Sequence, residues 1–415
     1  VETALIMTNK TCVAVIKHND KFTALDQVLA QTHFLNYLQG HWVSSGKKKV
    51  DFCIVIKPNI MMANSKDDPS TITDPALVEH LIDGIVNHGF TNVVVVESQN
   101  VYSNWFQNRE VLTVARYFGY SELNYRLVDL TQEMVPYNYG GRLGSHPVGP
   151  TWRDADFRIS FAKNKTHLSC YFTLTIKNLY GCMPMQNKMK EYHEEREFDW
   201  PTIEMLKHFP CHYGLIDAIW SADGLLGLKE DYSPHHTKTI IGGESILAVD
   251  WVGAKKMGLD PYRSRMFERA TAILEEPDVE WIGDQSIYKD WTNVSPLIDM
   301  IVDVGEEGYV YANYLGFISS SMDPTFPPKT RHRLSLFIRT IVTAALRFLS
   351  RVEGLRIFKV RTTTASMETR VPVGVEIDHR FSGIVRPLTR WGIINIFELA
   401  ATNLNYAIDK YLETE

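Results

Sequence analysis

The chain has 415 residues, 45% apolar and 22% charged, with a formal net charge of −6. This is ordinary globular composition with material for two or three domains. The negative balance gives no general attraction for nucleic acid, and no apolar run reaches the roughly 18 residues a membrane-spanning helix needs.

The first residues, VETALIM, lack a basic-then-apolar signal pattern. In chain order, CVAVIK (Cys12–Lys17) reads as a strand, and Thr23–Leu38 carries apolar residues at helical spacing. The continuous apolar run Phe52–Ile56 reads as a second strand ending at Lys57-Pro-Asn59. Asp74-Pro75 then opens a helix that Gly89 stops, since Asp suits the N-cap and Pro the first turn. Val93–Ser98 is a β-branched strand. A helix near Glu110–Phe118 ends at Gly119, and RLVDL follows as a strand. A loop of Gly, Pro and Tyr, Pro136–Pro150, precedes the strand DFRISFA. LIDAIW and TIIGG read as two further strands, and Ser245–Met257 as a helix stopped by Gly258. Continuous apolar strands separated by helices predict an α/β fold, a mostly parallel sheet with helices on both faces.

Beyond Asp260 the pattern loosens, with helices expected at Tyr262–Leu274 and Ser295–Val302. The Pro-rich stretch Pro324–Pro328 marks a boundary. From Lys329 to Arg390 there are 13 Lys/Arg against 4 Asp/Glu. Arg333–Val352 forms an amphipathic basic helix pattern, suited either to packing on its own protein or to weak contact with an anionic membrane surface. GLRIFKV and VPVGVEIDH read as a hairpin-like pair, followed by a helix over Trp391–Leu412. The expected organisation is an N-terminal strand and helix (1–50), an α/β domain (51–261), a helical extension (262–328) and a smaller basic α+β region (329–415).

In open α/β sheets ligands bind beyond the carboxyl ends of the strands. The predicted strand ends offer Lys57 and Asn59, Glu97 and Ser98, Lys163, Lys165 and His167, Asp223-Gly224, and Glu244-Ser245. Alternation puts Lys163, Lys165 and His167 on one face. Crowded cations depress one another's pKa values, which suits anion binding or proton transfer; lysines guarding an edge strand are the structural alternative. If the segment around Lys177 starts a helix, its N-terminus faces the same cleft and favours an anion. His193 lies in a strongly charged stretch, and His235-His236 reads as surface.

The five cysteines, Cys12, Cys53, Cys170, Cys182 and Cys211, are odd in number and form no C-x-x-C pair. They predict neither a disulfide framework nor an iron–sulfur cluster and fit a reducing cytoplasm. There is no phosphate loop, dinucleotide turn, nucleophile elbow or zinc-protease helix.

The ordered series IVIKPNI, TITDPALVEHLIDGIVNHGFTNVVVVES, DFRISFAKNKTH, TLTIKNLYG, LIDAI, DGLLG and GGESILAVDWVGAKKMGLDP, over about Asp51 to Pro261, closely resembles the family called domain of unknown function 362. Many members of that family carry ferredoxin-like cysteine clusters, which this chain lacks. A more distant likeness is to the N-terminal domain of the nickel-pincer lactate racemases. It implies His167 as acid/base, Lys177 (with Asn178 beside it) as the attachment point of a covalent lysine-linked cofactor, and His193 as a metal ligand. Where the racemases use an earlier histidine, this chain has ESQN, Glu97–Asn100.

The resulting expectation is an enzyme for a small carboxylate or phosphate-bearing molecule. Lys57, Asn59 and Lys163 hold the anion, His167, Lys165 and Glu97 move protons, and Lys177, Asn178 and His193 position a cofactor or metal. A homo-oligomer without nucleic-acid partners is expected. The alternative is a non-catalytic binding or assembly protein whose basic C-terminal region is the partner surface.

Overall fold

The computed structural model describes residues 10–60, 66, 68–100, 106–167, 170–186, 188, 191–192, 197, 199–224, 234–294, 329–330, 358–366 and 369–377. Its centre is a nine-stranded sheet. The strands are β1 (Thr11–Lys17), β2 (Ile54–Pro58), β3 (Val93–Glu97), β4 (Arg126–Asp129), β5 (Phe157–His167), β6 (Tyr171–Thr173), β7 (Tyr213–Ala222), β8 (Thr239–Gly243) and β9 (Val279–Gly283). Their order is β9-β1-β8-β7-β5-β2-β3-β4, with β6 paired to the end of β5. Pairing is parallel at β1–β9, β7–β5, β5–β2, β2–β3 and β3–β4. Only β8 and β6 run against their neighbours. Residues 11–17 and 279–283 therefore belong to the same sheet as the strands between them.

Helices α1 (Lys21–Gln31), α2 (Phe34–Ser45), α3 (Pro75–Asn87) and α4 (Val111–Phe118) alternate with the early strands, and α5 (Thr175–Leu179), α6 (Asp199–His208), α7 (Ile246–Lys256) and α8 (Arg265–Leu274) with the later ones. Successive residues of one strand enter opposite cores. Ile54 and Ile56 join Phe34, Leu81, Ile85 and Phe161 on one side, while Val55 joins Val96, Leu179, Ile216 and Val252 on the other. Burial on both faces is why these strands read as unbroken apolar runs. The N-cap of α3 is as predicted: Asp74 accepts from the Ala76 amide at 2.9 Å, with Pro75 in the first turn.

Several elements differ from the sequence reading. Thr23–Leu38 is two helices, because His33 takes a left-handed conformation (φ 52°) and turns the chain between α1 and α2. The loop Pro136–Pro150 contains a short hairpin, Val135–Asn138 against Ser145–Val148. The helix expected from Tyr262 is a tight turn at Pro261–Arg263 followed by α8. Strand β9 was not anticipated. The hairpin-like pair near the C-terminus is present as Phe358–Ser366 against Thr369–Ile377. The helices expected at Ser295–Val302, Arg333–Val352 and Trp391–Leu412 lie outside the described residues. No helix among the described residues is long and apolar enough to cross a membrane.

Candidate functional site

Because β2, β3, β5 and β7 run the same way, Lys57, Glu97, the Lys163–His167 stripe and Asp223 reach one edge of the sheet. Strand β8 runs the opposite way, so Glu244-Ser245 leaves at the other edge. Ser245 there caps α7 by accepting from the Ala248 amide. The expectation that TIIGG also feeds the site is thus corrected: an apolar strand carries no mark of its direction.

At this edge the lysines are not alike. Lys57 is 1% exposed and has an acceptor for each of its three N–H groups: the Pro58 carbonyl at 2.7 Å, Glu97 Oε2 at 2.8 Å and Asn178 Oδ1 at 3.3 Å. Glu97 is equally buried. Asn178 in turn donates to the Lys57 carbonyl at 2.7 Å and to Ser160 Oγ at 3.2 Å, tying α5 to β2 and β5. Gly181 closes over this group; a Cβ there would lie 2.5 Å from Lys57 Cε and 2.7 Å from its Nζ. The expected roles of Lys57 in holding substrate, of Glu97 in moving protons and of Asn178 beside a cofactor are corrected accordingly. These side chains satisfy one another inside the protein and form a fixed support.

Lys163 is also 1% exposed, and its ammonium lies 2.9 Å from Asp217 Oδ2. Asp217 additionally accepts from the Asp74 and Ile219 amides, at 2.9 and 3.0 Å. Lys163 therefore locks β5 to β7 and to the start of α3 rather than facing a ligand. Asn59 is likewise buried. Its amide donates to Thr73 Oγ1 and its carbonyl accepts from the Thr73 amide, both at 2.9 Å.

Lys165 differs. It is buried, and its ammonium donates to the Thr71 carbonyl at 3.0 Å. Burial first, and then the charge of Lys177, push its pKa down to about 8, while Asp68 opposes them. Lys177 is half-buried with its amine 4.3 Å from the centre of the Tyr180 ring, and burial lowers its pKa as well. His167 ends β5, two residues beyond Lys165 on the same face, and pairs across the ladder with Tyr171.

The start of α5 is not open to a ligand, contrary to expectation. The buried Asp250 carboxylate from α7 occupies it, accepting from the Thr175 amide at 2.7 Å, the Thr175 hydroxyl at 2.5 Å and the Ile176 amide at 3.0 Å. Burial raises the pKa of Asp250 to about 7.

His193 lies outside the described residues, as does most of its charged stretch. Among the described residues no group of three or more His, Cys, Asp or Glu is placed to hold a metal.

Sequence reasoning missed several members of the edge. Asp217 and Asp250 sit in a strand and a helix interior and pair with residues 54 and 75 positions away. Lys188 donates to Ser98 Oγ at 2.7 Å and to the Met183 carbonyl, with burial bringing its pKa down to about 7. The reading of His235-His236 as surface holds for His236, which is exposed, and is corrected for His235. His235 Nε2 lies 3.1 Å from Asp223 Oδ2 with its side chain 19% exposed, and His236 stacks on Trp220 at 4.2 Å. For Asp217, a carboxylate inside an apolar strand was the available signal.

A thylakoid-associated protein of Synechocystis, sll1697, is 27% identical over 112 residues, 26% of this chain and 34% of the cyanobacterial protein. The lactate racemase apoprotein from Thermoanaerobacterium thermosaccharolyticum matches 56% of this chain and 54% of its own at 11% identity, with a TM-score of 0.33. The alignments thus span about a third of the first protein and about half of the second, and at these levels no activity follows from either likeness. Residues 54–255, which include Lys57, Glu97, Lys165, Lys177 and Asp223, match the family described as Domain of unknown function (DUF362).

Proposed function

We propose that Lys165 and Lys177 form the binding site for a small carboxylate- or phosphate-bearing substrate, and that Lys165 and His167 move its proton. The observation that carries this reading is the contrast among the edge lysines. Lys57 and Lys163 are each neutralised by a buried carboxylate, whereas Lys165 is buried beside a second lysine and is held near neutrality for it. A buried lysine whose charge is already disfavoured by burial and by a neighbouring positive charge gains from an anion beside it. With a pKa of about 8, Lys165 exchanges a proton readily near neutral pH, as an acid–base group must. Lys57, Glu97, Asn178 and Gly181 hold α5 and its Lys177 in place beside it.

Isothermal titration with inorganic phosphate and with short monocarboxylates tests this. A bound anion raises the pKa of Lys165, so binding near pH 8 takes up protons. Affinity is then full below about pH 8 and falls as the pH rises above it. The expected result is a binding enthalpy that depends on the ionisation heat of the buffer, with that dependence lost in Lys165→Met. Anion binding unchanged in Lys165→Met and in Lys177→Met overturns the assignment. The assembly alternative is less well supported. Lys329–Thr330 pairs with Phe106–Gln107, and Thr369-Arg370 with Trp291-Thr292, so these parts of the basic region engage the body of the same chain.

A further inference from the structure

The opposite face of the same edge carries unused acceptors instead of cations. Asn164 and Thr166 alternate with Lys163 and Lys165 along β5, so they project to the other side. Asn164 Nδ2 lies 2.9 Å from Ser221 Oγ on β7, which puts Ser221 on that same side, with Asp223 two residues further on. Lys165 is in register with Ala222, and neighbouring strands are only about 4.8 Å apart. Asn164, Thr166, Ser221 and Asp223 are all fully buried.

Proton bookkeeping fixes which way Asn164 points. Thr237 Oγ1 donates its one proton to the Ala218 carbonyl. Ser221 Oγ, 2.7 Å from Thr237 Oγ1, must therefore be the donor in that contact. Having spent its proton, Ser221 can only accept from Asn164, so the NH2 of Asn164 faces Ser221 and its Oδ1 faces away. Among the described residues that oxygen has no hydrogen-bond partner, nor do Thr166 Oγ1 and Asp223 Oδ1. The other oxygen of Asp223 accepts from the Thr292 amide at 2.7 Å and lies 3.1 Å from His235 Nε2. Leaving a buried carboxylate oxygen and an amide oxygen unpaired costs about 1–3 kcal/mol each or more.

We propose that Asn164 Oδ1, Thr166 Oγ1 and Asp223 Oδ1 bind a hard monovalent cation of the sodium or potassium class. Carboxylate, amide and hydroxyl oxygens are the ligands such ions take. Asp223 gives the site a single carboxylate, whose charge a monovalent ion cancels and a divalent ion would overshoot in a buried place. The site is independent of the anion site, since it lies on the other face of β5.

The test measures melting of the full chain in potassium, sodium and N-methylglucamine chlorides at equal ionic strength. A saturable rise in melting temperature with potassium or sodium is expected. Asp223→Asn weakens the apparent affinity tenfold or more, and Thr166→Val weakens it less. Asn164→Asp adds a second negative charge and is expected to strengthen the cation response several-fold; this variant, with Thr166→Val, decides the matter should Asp223→Asn fail to fold. Equal melting in all three salts, a response indifferent to Asn164→Asp and Thr166→Val, or a larger saturable response to magnesium or calcium overturns the assignment.

Discussion

Lys57 shows how far one side chain can be committed to structure. Its three donors are all used, and Glu97 lies 2.8 Å away with both groups out of water. Two buried charges that cancel contribute little net stability, but removing one strands the other. Lys57→Met is therefore expected to destabilise the protein by about 3–5 kcal/mol, because Glu97 is left buried and unpaired. The double variant Lys57→Met with Glu97→Leu is expected to recover much of that loss in chemical denaturation. If the single and double variants lose the same amount, the pair is not what holds this corner. The single variant also tests the division of labour among the lysines. Where it still folds, Lys165 and Lys177 are both present but α5 has lost one of its ties, so anion binding is expected to weaken, though less than in Lys165→Met.

At the scale of elements, the short helix α5 depends on a residue from another helix. Five residues do not hold a helix alone, and the first amides of α5 are satisfied by Asp250 on α7. Asp250→Ala leaves two buried amides without their acceptor, a loss of about 3 kcal/mol or more, while the Thr175 hydroxyl keeps the Ile246 carbonyl. It also loosens the segment that carries Lys177 and Asn178. The expected outcome is lower stability together with weaker anion binding, although Asp250 is placed to touch no ligand. Asp250→Asn, which keeps one acceptor oxygen, is expected to lie between. Anion affinity unchanged in Asp250→Ala would separate α5 from the site. What was legible in the sequence follows the same division. The parallel strands announced themselves because burial on both faces leaves no polar alternation, and the α3 start did so because an N-cap is a local interaction. Hidden were interactions between distant residues, such as Asp250 with Thr175 or Asp217 with Lys163, and the direction of β8, which depends on its neighbours. The stripe of Lys163, Lys165 and His167 was visible as a pattern, but its split into a paired and a charge-crowded lysine rests on where Asp217 and Lys177 fall in space.

At the scale of the molecule, all nine strands of the central sheet lie between Thr11 and Gly283, and the described residues of both apolar cores lie between Val13 and Val294. Among the described residues, strand pairing between the basic C-terminal region and this body is confined to two short ladders, Lys329–Thr330 with Phe106–Gln107 and Thr369-Arg370 with Trp291-Thr292. A protein ending at residue 294 therefore keeps the sheet and those cores, and loses a few backbone hydrogen bonds at roughly 1 kcal/mol each. It is expected to unfold in a single cooperative transition at a somewhat lower temperature and to retain anion binding. The charges add a second expectation. Residues 329–390 hold 13 Lys/Arg against 4 Asp/Glu in a chain whose net charge is −6, so the rest of the chain is strongly acidic. Attraction between the two parts is screened by salt. The extra stability of the full chain over the shortened one should accordingly shrink as sodium chloride rises from low to high concentration, measured at each salt by paired melts. A shortened protein that melts without cooperativity would mean that the C-terminal region completes the core. A stability difference indifferent to salt would mean that packing, not charge, joins the two.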